Sequence, residues 1–274
     1  MPHAEREPSQ GQAFQLEGPL ESCPVVILCG GQGSRVADVS REVPKPLLPI
    51  GGMPVVWHIM KIYSQQGFHH FILCLGHLGD RIESFFKEPS FVEGANADLN
   101  YSQSSLAERM EPCWQVEFAY TGENTTTGGR IKQVEHLLPG ETFMLTYGDG
   151  LARIDLHALL ATHAARAKVA TVTGARVNIP YGVFDVEDGV ATAFSEKPLL
   201  ESRINGGYFA FRRDVLDYIG PDDALEEEPL RRLVAERQLA VYEHDDYWRS
   251  MDTRKDFEGL NAAWSQGDTP WKTW

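Results

Sequence analysis

The residues best suited to chemistry gather near the start of the chain. An apolar run, Val25-Val26-Ile27-Leu28, passes into Gly30-Gly31-Gln32-Gly33-Ser34-Arg35. Glycines at a strand end let backbone N–H groups approach a phosphate where a Cβ would stand in the way. The segment Pro44-Lys45-Pro46-Leu47-Leu48-Pro49-Ile50-Gly51-Gly52 follows. Alone, each element is ordinary: glycine turns are common, and Lys is a residue of solvated loops. Together, Arg35 and Lys45 are two cations on proline-stiffened backbone beside a glycine turn, the parts of a polyphosphate clamp. Two other phosphate-binding patterns are excluded. A dinucleotide fingerprint aligned on Gly31 and Gly33 needs Gly or Ala where Val36 stands, and an acidic residue where the second strand ends in Leu75-Gly76. A P-loop needs Gly-Lys-Ser/Thr, which the chain lacks.

Two carboxylates come next. Asp149 follows the apolar run Phe143 to Tyr147, at a strand's C-terminal end, where open α/β sheets bind ligands. Asp252 precedes the last helical segment. Such a pair suits an octahedral Mg²⁺ that takes its remaining ligands from phosphate and water, although either Asp alone reads as a turn or helix cap. Glu196-Lys197 reads by default as a solvated charge pair. The histidines His58, His69, His70 and His77 lack metal-ligand spacing, and His69 and His70 would point to opposite faces of a strand. The run Glu226-Glu227-Glu228 before Pro229 reads as charge at a helix N-terminus rather than a site.

The elements that must position these groups alternate. Strands are expected at Val25–Leu28, Phe71–Leu75, Val116–Tyr120, Phe143–Tyr147, Val169–Val172 and Tyr208–Phe211. Helical periods mark Pro54–Gln66 and Asp80–Lys87, and faces built from Ile131, Val134 and Leu138, from Leu156, Leu159, Leu160 and Ala164, from Leu230, Leu233 and Val234, and from Phe257, Leu260 and Trp264. Asp188-Gly189 between short alternating runs signals a β-hairpin. This order predicts an α/β fold: a Rossmann-like, doubly wound, mainly parallel (mixed) sheet with a hairpin-containing part. Residues 1–22 read as a flexible extension, 23–150 and 151–253 as two halves of a single domain, and 254–274 as a C-terminal helix and tail.

Composition agrees. The 274 residues are 42% hydrophobic and 23% charged, which excludes a mostly disordered chain. With 25 Lys and Arg against 39 Asp and Glu the net charge is −14, which disfavours general nucleic-acid binding. Four cysteines without a C-x-x-C pair are no disulfide scaffold, and Cys29 and Cys74 read as buried hydrophobes. No apolar stretch approaches membrane-spanning length and the N-terminus has no secretion-signal pattern, so a soluble cytoplasmic protein is expected.

The glycine loop and the Lys45 segment resemble the signature of the sugar-1-phosphate nucleotidyltransferases, G-G-x-G-T/S-R followed by K-P-x-x-P-I. The resemblance continues through Trp57-His58-Ile59-Met60-Lys61, Thr121-Gly122, Thr127-Gly128-Gly129-Arg130, Thr146-Tyr147-Gly148-Asp149-Gly150, Glu196-Lys197-Pro198, Ile204-Asn205-Gly206-Gly207, Met251-Asp252-Thr253 and Pro270-Trp271-Lys272-Thr273-Trp274. It is closest to the cytidylyltransferase branch. Departures are Cys29 for the usual Ala and Ser34 for Thr.

The resemblance implies transfer of a cytidylyl group from CTP to α-D-glucose 1-phosphate, giving CDP-glucose and pyrophosphate. It makes Arg35 and Lys45 catalytic and pairs Asp149 with Asp252 around Mg²⁺. Leu28, Gly30, Gly31, Gln32, Gly33, Ser34, Thr125, Gly128 and Arg130 would bind the nucleotide. Tyr147, Glu196, Lys197, Asn205 and Gly206 would hold the sugar phosphate. A homo-oligomer, a hexamer in this branch, is implied as well. The alternatives are the same chemistry with dTTP, GTP or UTP, or with another sugar 1-phosphate, and a non-catalytic nucleotide-sugar-binding regulatory protein.

Overall fold

The computed structural model describes residues 20–33, 42–88, 101 and 106–274. Ser34, Arg35 and residues 1–19 of the expected extension lie outside the described residues.

Thirteen strands are described: β1 Pro24–Leu28, β2 Pro49–Ile50, β3 Met53–Pro54, β4 His70–Leu75, β5 Gln115–Tyr120, β6 Thr142–Tyr147, β7 Gly150–Ala152, β8 Ala170–Ala175, β9 Val183–Glu187, β10 Val190–Ser195, β11 Ile204–Arg212, β12 Leu239–His244 and β13 Trp248–Ser250. The helices are α1 Val55–Ser64, α2 Gly79–Lys87, α3 Leu106–Arg109, α4 Thr127–Gln133, α5 Leu156–Arg166, α6 Glu228–Ala235 and α7 Arg254–Ser265.

Seven strands form one sheet in the order β12-β8-β11-β6-β1-β4-β5. Only β11 runs antiparallel to its neighbours, and the other adjacent pairs are parallel. Both halves expected from the sequence contribute strands to this sheet.

β1 lies in the middle, and its alternate side chains serve two apolar layers. Val25 and Ile27 pack with Val55, Ile59, Met60 and Tyr63 of α1 on one face. Val26 and Leu28 pack with Ile131, Val134 and Leu233 on the other. The fold is therefore the doubly wound mixed sheet expected. Among the described residues no helix is long and apolar enough to cross a membrane.

The loop carrying Lys45 is braced from behind. His58 Nε2–H donates to the Ile50 carbonyl at 2.8 Å. Asn261 of α7 donates to the Pro49 carbonyl at 3.0 Å and accepts from the Gly51 N–H at 3.1 Å. Trp271, with no exposed surface, packs edge-on to His58 and stacks on Tyr247.

Local differences from expectation have simple causes. Val234, placed by spacing on the buried face of its helix, is 60% exposed. Leu233 takes the inward position, and the next residue, about 100° further round, faces an open groove beside Val241. The helix expected around Ile131 to Leu138 gives way after Gln133 to a 3-10 turn at Glu135–Leu137. The β9–β10 hairpin forms as expected at Asp188-Gly189, whose φ angles of 48° and 80° match the left-handed turn such hairpins need. It is exposed along its whole length.

Candidate active site

Asp149 and Asp252 meet because of a small ribbon that spacing does not reveal. β7 pairs antiparallel with β13, with Gly150 opposite Ser250, and the Met251 N–H donates to the Asp149 carbonyl at 2.9 Å. The ribbon carries Asp252 to the C-terminal end of β6. Lys45 arrives from the other side, on a single 3-10 turn whose Pro46 and Leu47 are buried and anchor it.

The Lys45 Nζ lies 2.5 Å from Asp149 Oδ2 and 2.9 Å from Asp252 Oδ1. Burial opposes its charge, but the two carboxylates outweigh burial and hold its pKa above the ordinary lysine value. Ser250 Oγ donates to Asp252 Oδ2 at 2.6 Å. Two carboxylates facing one cation fit a hard divalent ion that takes its other ligands from substrate phosphates and water. Among the described residues no group of three or more His, Cys, Asp or Glu forms an all-protein metal cage.

This cluster lies in a cavity of about 520 Å³, a size suited to a small-molecule ligand. Leu28, Gly30, Gly31 and Gly33 line it at the end of β1, with Thr125 and Arg130 beside them. Tyr147, Asn205 and Gly206 line the opposite part. Of the site residues expected from the sequence, these twelve, counting Lys45, Asp149 and Asp252, converge on one cavity.

Arg130 is held unusually. Its Nη1 donates to the Leu75 carbonyl, the Thr121 hydroxyl and the Gly122 carbonyl, and its Nη2 to the Gly30 and Glu123 carbonyls, at 2.6–3.3 Å. Its charge reaches the cavity while its donors are committed to tying the glycine loop to residues 121–123. A Cβ on Gly30 would come within 2.1 Å of that guanidinium, so only glycine fits there.

The other expected residues stand apart. Gln32 is exposed and, among the described residues, its amide donates to Asn124 Oδ1 at 3.5 Å. Gly128 lies under the Asp223 carbonyl, where a Cβ would come within 2.5 Å, so it packs α4 rather than lining the cavity. The Glu196 and Lys197 side chains are 59% and 58% exposed and 3.7 Å from each other. They follow the exposed hairpin strand β10 and are not among the residues that line the cavity. The resemblance to the family is what placed them at the sugar.

Among the lining residues to which the sequence gives no site role are Thr127, Glu226, Trp248 and Ser250. Trp248 Nε1 donates to the Gly206 carbonyl at 2.7 Å, which leaves the ring facing the ligand space. The sequence presents Glu226 as helix-end charge, yet α6 begins at Glu228 and the Glu226 carboxylate accepts from Thr127 Oγ1 at 2.7 Å. No local pattern marks it, since its placement depends on how residues 219–226 pack on α4.

The model of the nucleotidyl transferase family matches residues 24–266. A "Probable glucose-1-phosphate cytidylyltransferase" of Bacillus subtilis is 42% identical over 252 residues, 91% of this chain and 99% of that protein. The chain belongs to the sugar-1-phosphate nucleotidyltransferase family. A glucose-1-phosphate cytidylyltransferase of Salmonella typhi is 38% identical, covering 91% of this nucleotidyltransferase and 98% of its own length. Among solved structures, HddC of Yersinia pseudotuberculosis superposes with a TM-score of 0.62 at 22% identity, over 88% of this chain and 99% of its own, which shows a shared fold.

Proposed function

We propose that this nucleotidyltransferase transfers a cytidylyl group from CTP to α-D-glucose 1-phosphate. The observation that carries the reading is the meeting of Lys45, Asp149 and Asp252 under the glycine loop in a single cavity. The choice of cytidine and glucose is supported by the relatives named above.

A phosphate oxygen of the sugar 1-phosphate attacks the α-phosphorus of CTP in line. A new P–O bond forms, the bond to the β-phosphate oxygen breaks, and pyrophosphate leaves with the electron pair. The nucleophile needs no general base, because the second pKa of a phosphomonoester is about 6. What remains for the protein is positioning and charge neutralisation. Lys45 supplies a fixed positive charge to the triphosphate, with Arg35 of the same signature. Backbone N–H groups of Gly30, Gly31 and Gly33 face the nucleotide, and Tyr147 and Asn205 face the sugar. Asp149 and Asp252 would hold Mg²⁺, which supplies further neutralisation of phosphate charge when bound. Lys197 keeps its proposed hold on the sugar phosphate only through the family resemblance.

A homo-oligomer is part of this reading. Phe184, Val186 and Phe194 share one face of the hairpin and are each more than half exposed, an apolar patch suited to a second copy. Light scattering of the purified chain tests it, and a monomer at micromolar concentration rejects it.

The test of function is pyrophosphate release from each of CTP, UTP, dTTP and GTP with a set of hexose 1-phosphates. CTP with glucose 1-phosphate is expected to dominate. A dominant signal with dTTP or GTP rejects the substrate assignment. Binding without turnover on every pair favours a regulatory protein.

A further inference from the structure

We propose that Asn261, on α7, is a positioning residue of this site: it fixes the loop that presents Lys45 at the distance from Asp252 that the reaction uses. The proposal rests on reading Lys45, Asp149 and Asp252 as the charged centre of the transferase site.

The Lys45 loop is poor in donors of its own. Pro44, Pro46, Pro49 and Pro54 have no N–H to give, and β2 and β3 are two residues each. The Leu48 N–H donates to the Lys45 carbonyl and the Val55 N–H to the Leu48 carbonyl, both at 3.0 Å, which closes the lysine turn onto the start of α1. The tip of the loop is gripped from α7. Asn261 Nδ2 donates to the Pro49 carbonyl at 3.0 Å and to the Phe257 carbonyl of its own helix at 3.1 Å, while its Oδ1 accepts the Gly51 N–H at 3.1 Å. One amide therefore spans the tip and anchors it. Gly51 has a φ of 59°, and a Cβ there would run into the ring of Trp264, three residues after Asn261 on the same helix face.

The same helix begins at the other side of the site. Thr253, the residue after Asp252, closes a capping box with Asp256 at the N-terminus of α7. The helix is thus a strut, with Asp252 at its start and the Lys45 loop clamped about two turns along. Lys45 Nζ and Asp252 Oδ1 stand 2.9 Å apart across that frame. Asn261 is not among the residues that line the cavity, so its effect on the reaction passes through the lysine. A shift of about 1 Å in a catalytic group can cost about a hundredfold in rate.

Asn261→Leu keeps the bulk of the side chain and removes its hydrogen bonds. On the nucleotide and sugar pair that the wild type uses best, it is expected to lower kcat about tenfold or more and to leave KM for the sugar 1-phosphate within about twofold. In a Lys45→Met background the same substitution changes kcat by less than about twofold, because the group it positions is gone. Calorimetric binding of the tightest-bound nucleotide to the same four proteins shows the same coupling without turnover. The control Glu258→Gln, on the exposed side of α7 where Glu258 pairs with Arg254 at 2.7 Å, leaves both constants unchanged. Asn261→Ala takes the place of the leucine variant if that protein does not fold.

Equal losses with and without Lys45 overturn the proposal, since a merely structural residue behaves in that way. So does an unchanged kcat, a matching loss in Glu258→Gln, or failure of both Asn261 variants to fold. Absence of wild-type turnover on every pair overturns the functional reading instead, and the binding cycle then judges Asn261 by itself.

Discussion

Gly150 stands opposite Ser250 in the β7–β13 ribbon, and that pairing brings Asp149 and Asp252 to the same ammonium group although their positions differ by 103 in the sequence. The ribbon sends Leu151 and Ala152 into the core, and it also determines whether the carboxylates act together.

Replacing Lys45 tests the shared charge. Lys45→Met is expected to lower turnover about a hundredfold or more, the usual loss for one preorganised charge. It also leaves Asp149 and Asp252 facing each other without a cation, so Mg²⁺ alone is expected to raise Tm more in the variant than in the wild type. Calorimetric melts with and without Mg²⁺ check this, and equal increments in both proteins contradict it.

Asp149→Asn and Asp252→Asn should each reduce turnover by about two orders of magnitude, because each removes half of the charge facing Lys45. The double variant should fall by far less than the product of the single effects, since the two groups act as a unit. Steady-state kinetics of the three proteins decide it; strictly multiplicative losses would mean that the two aspartates work independently.

Alkaline pH bears on Lys45. Its pKa is raised, so the charged form and the stability it contributes are complete below the ordinary lysine value of 10.5 and are lost only as pH climbs past the raised value. The pH–rate profile should therefore show no falling limb from Lys45 between neutrality and that range. A limb near pH 8 that disappears in Lys45→Arg would refute this.

Acid pH bears on His58. Burial lowers its pKa from 6.5 to about 4, so the neutral ring stabilises the fold above 6.5 and that contribution declines as pH falls from 6.5 toward 4. Complete loss would amount to roughly 3 kcal/mol. His163, lowered by burial to about 4, adds to the same window. Denaturant titrations between pH 7 and 4 should show a shallower decline in His58→Gln than in the wild type; identical slopes contradict the assignment.

Arg130→Lys is expected to weaken nucleotide binding and lower Tm, although the charge is kept. An ammonium cannot span the Gly30, Leu75 and Gly122 carbonyls that the planar guanidinium reaches. Wild-type Tm and nucleotide affinity in this variant would remove the structural role.

Much of this was legible in the residues. The central strands showed as β-branched and apolar runs, α1 by its period between Pro54 and Gly67, and the hairpin by Asp188-Gly189. Lys45, Asp149 and Asp252 stood out by motif. What stayed hidden depends on contacts between distant segments. β7 and β13 are three residues each, too short to show a period. Arg130 carries no sign in the sequence that its donors face carbonyls. Glu226 looked like its neighbours Glu227 and Glu228, and only the Thr127 hydroxyl distinguishes it. Glu196 and Lys197 show the converse, a motif whose residues this fold leaves at the surface.

Trp271 lies downstream of every strand of the central sheet, yet it packs behind the segment that seats Lys45. Vectorial synthesis therefore completes the sheet before the wall behind that lysine exists. The nascent chain can assemble its scaffold early, while competence for catalysis waits on an aromatic side chain made after the sheet.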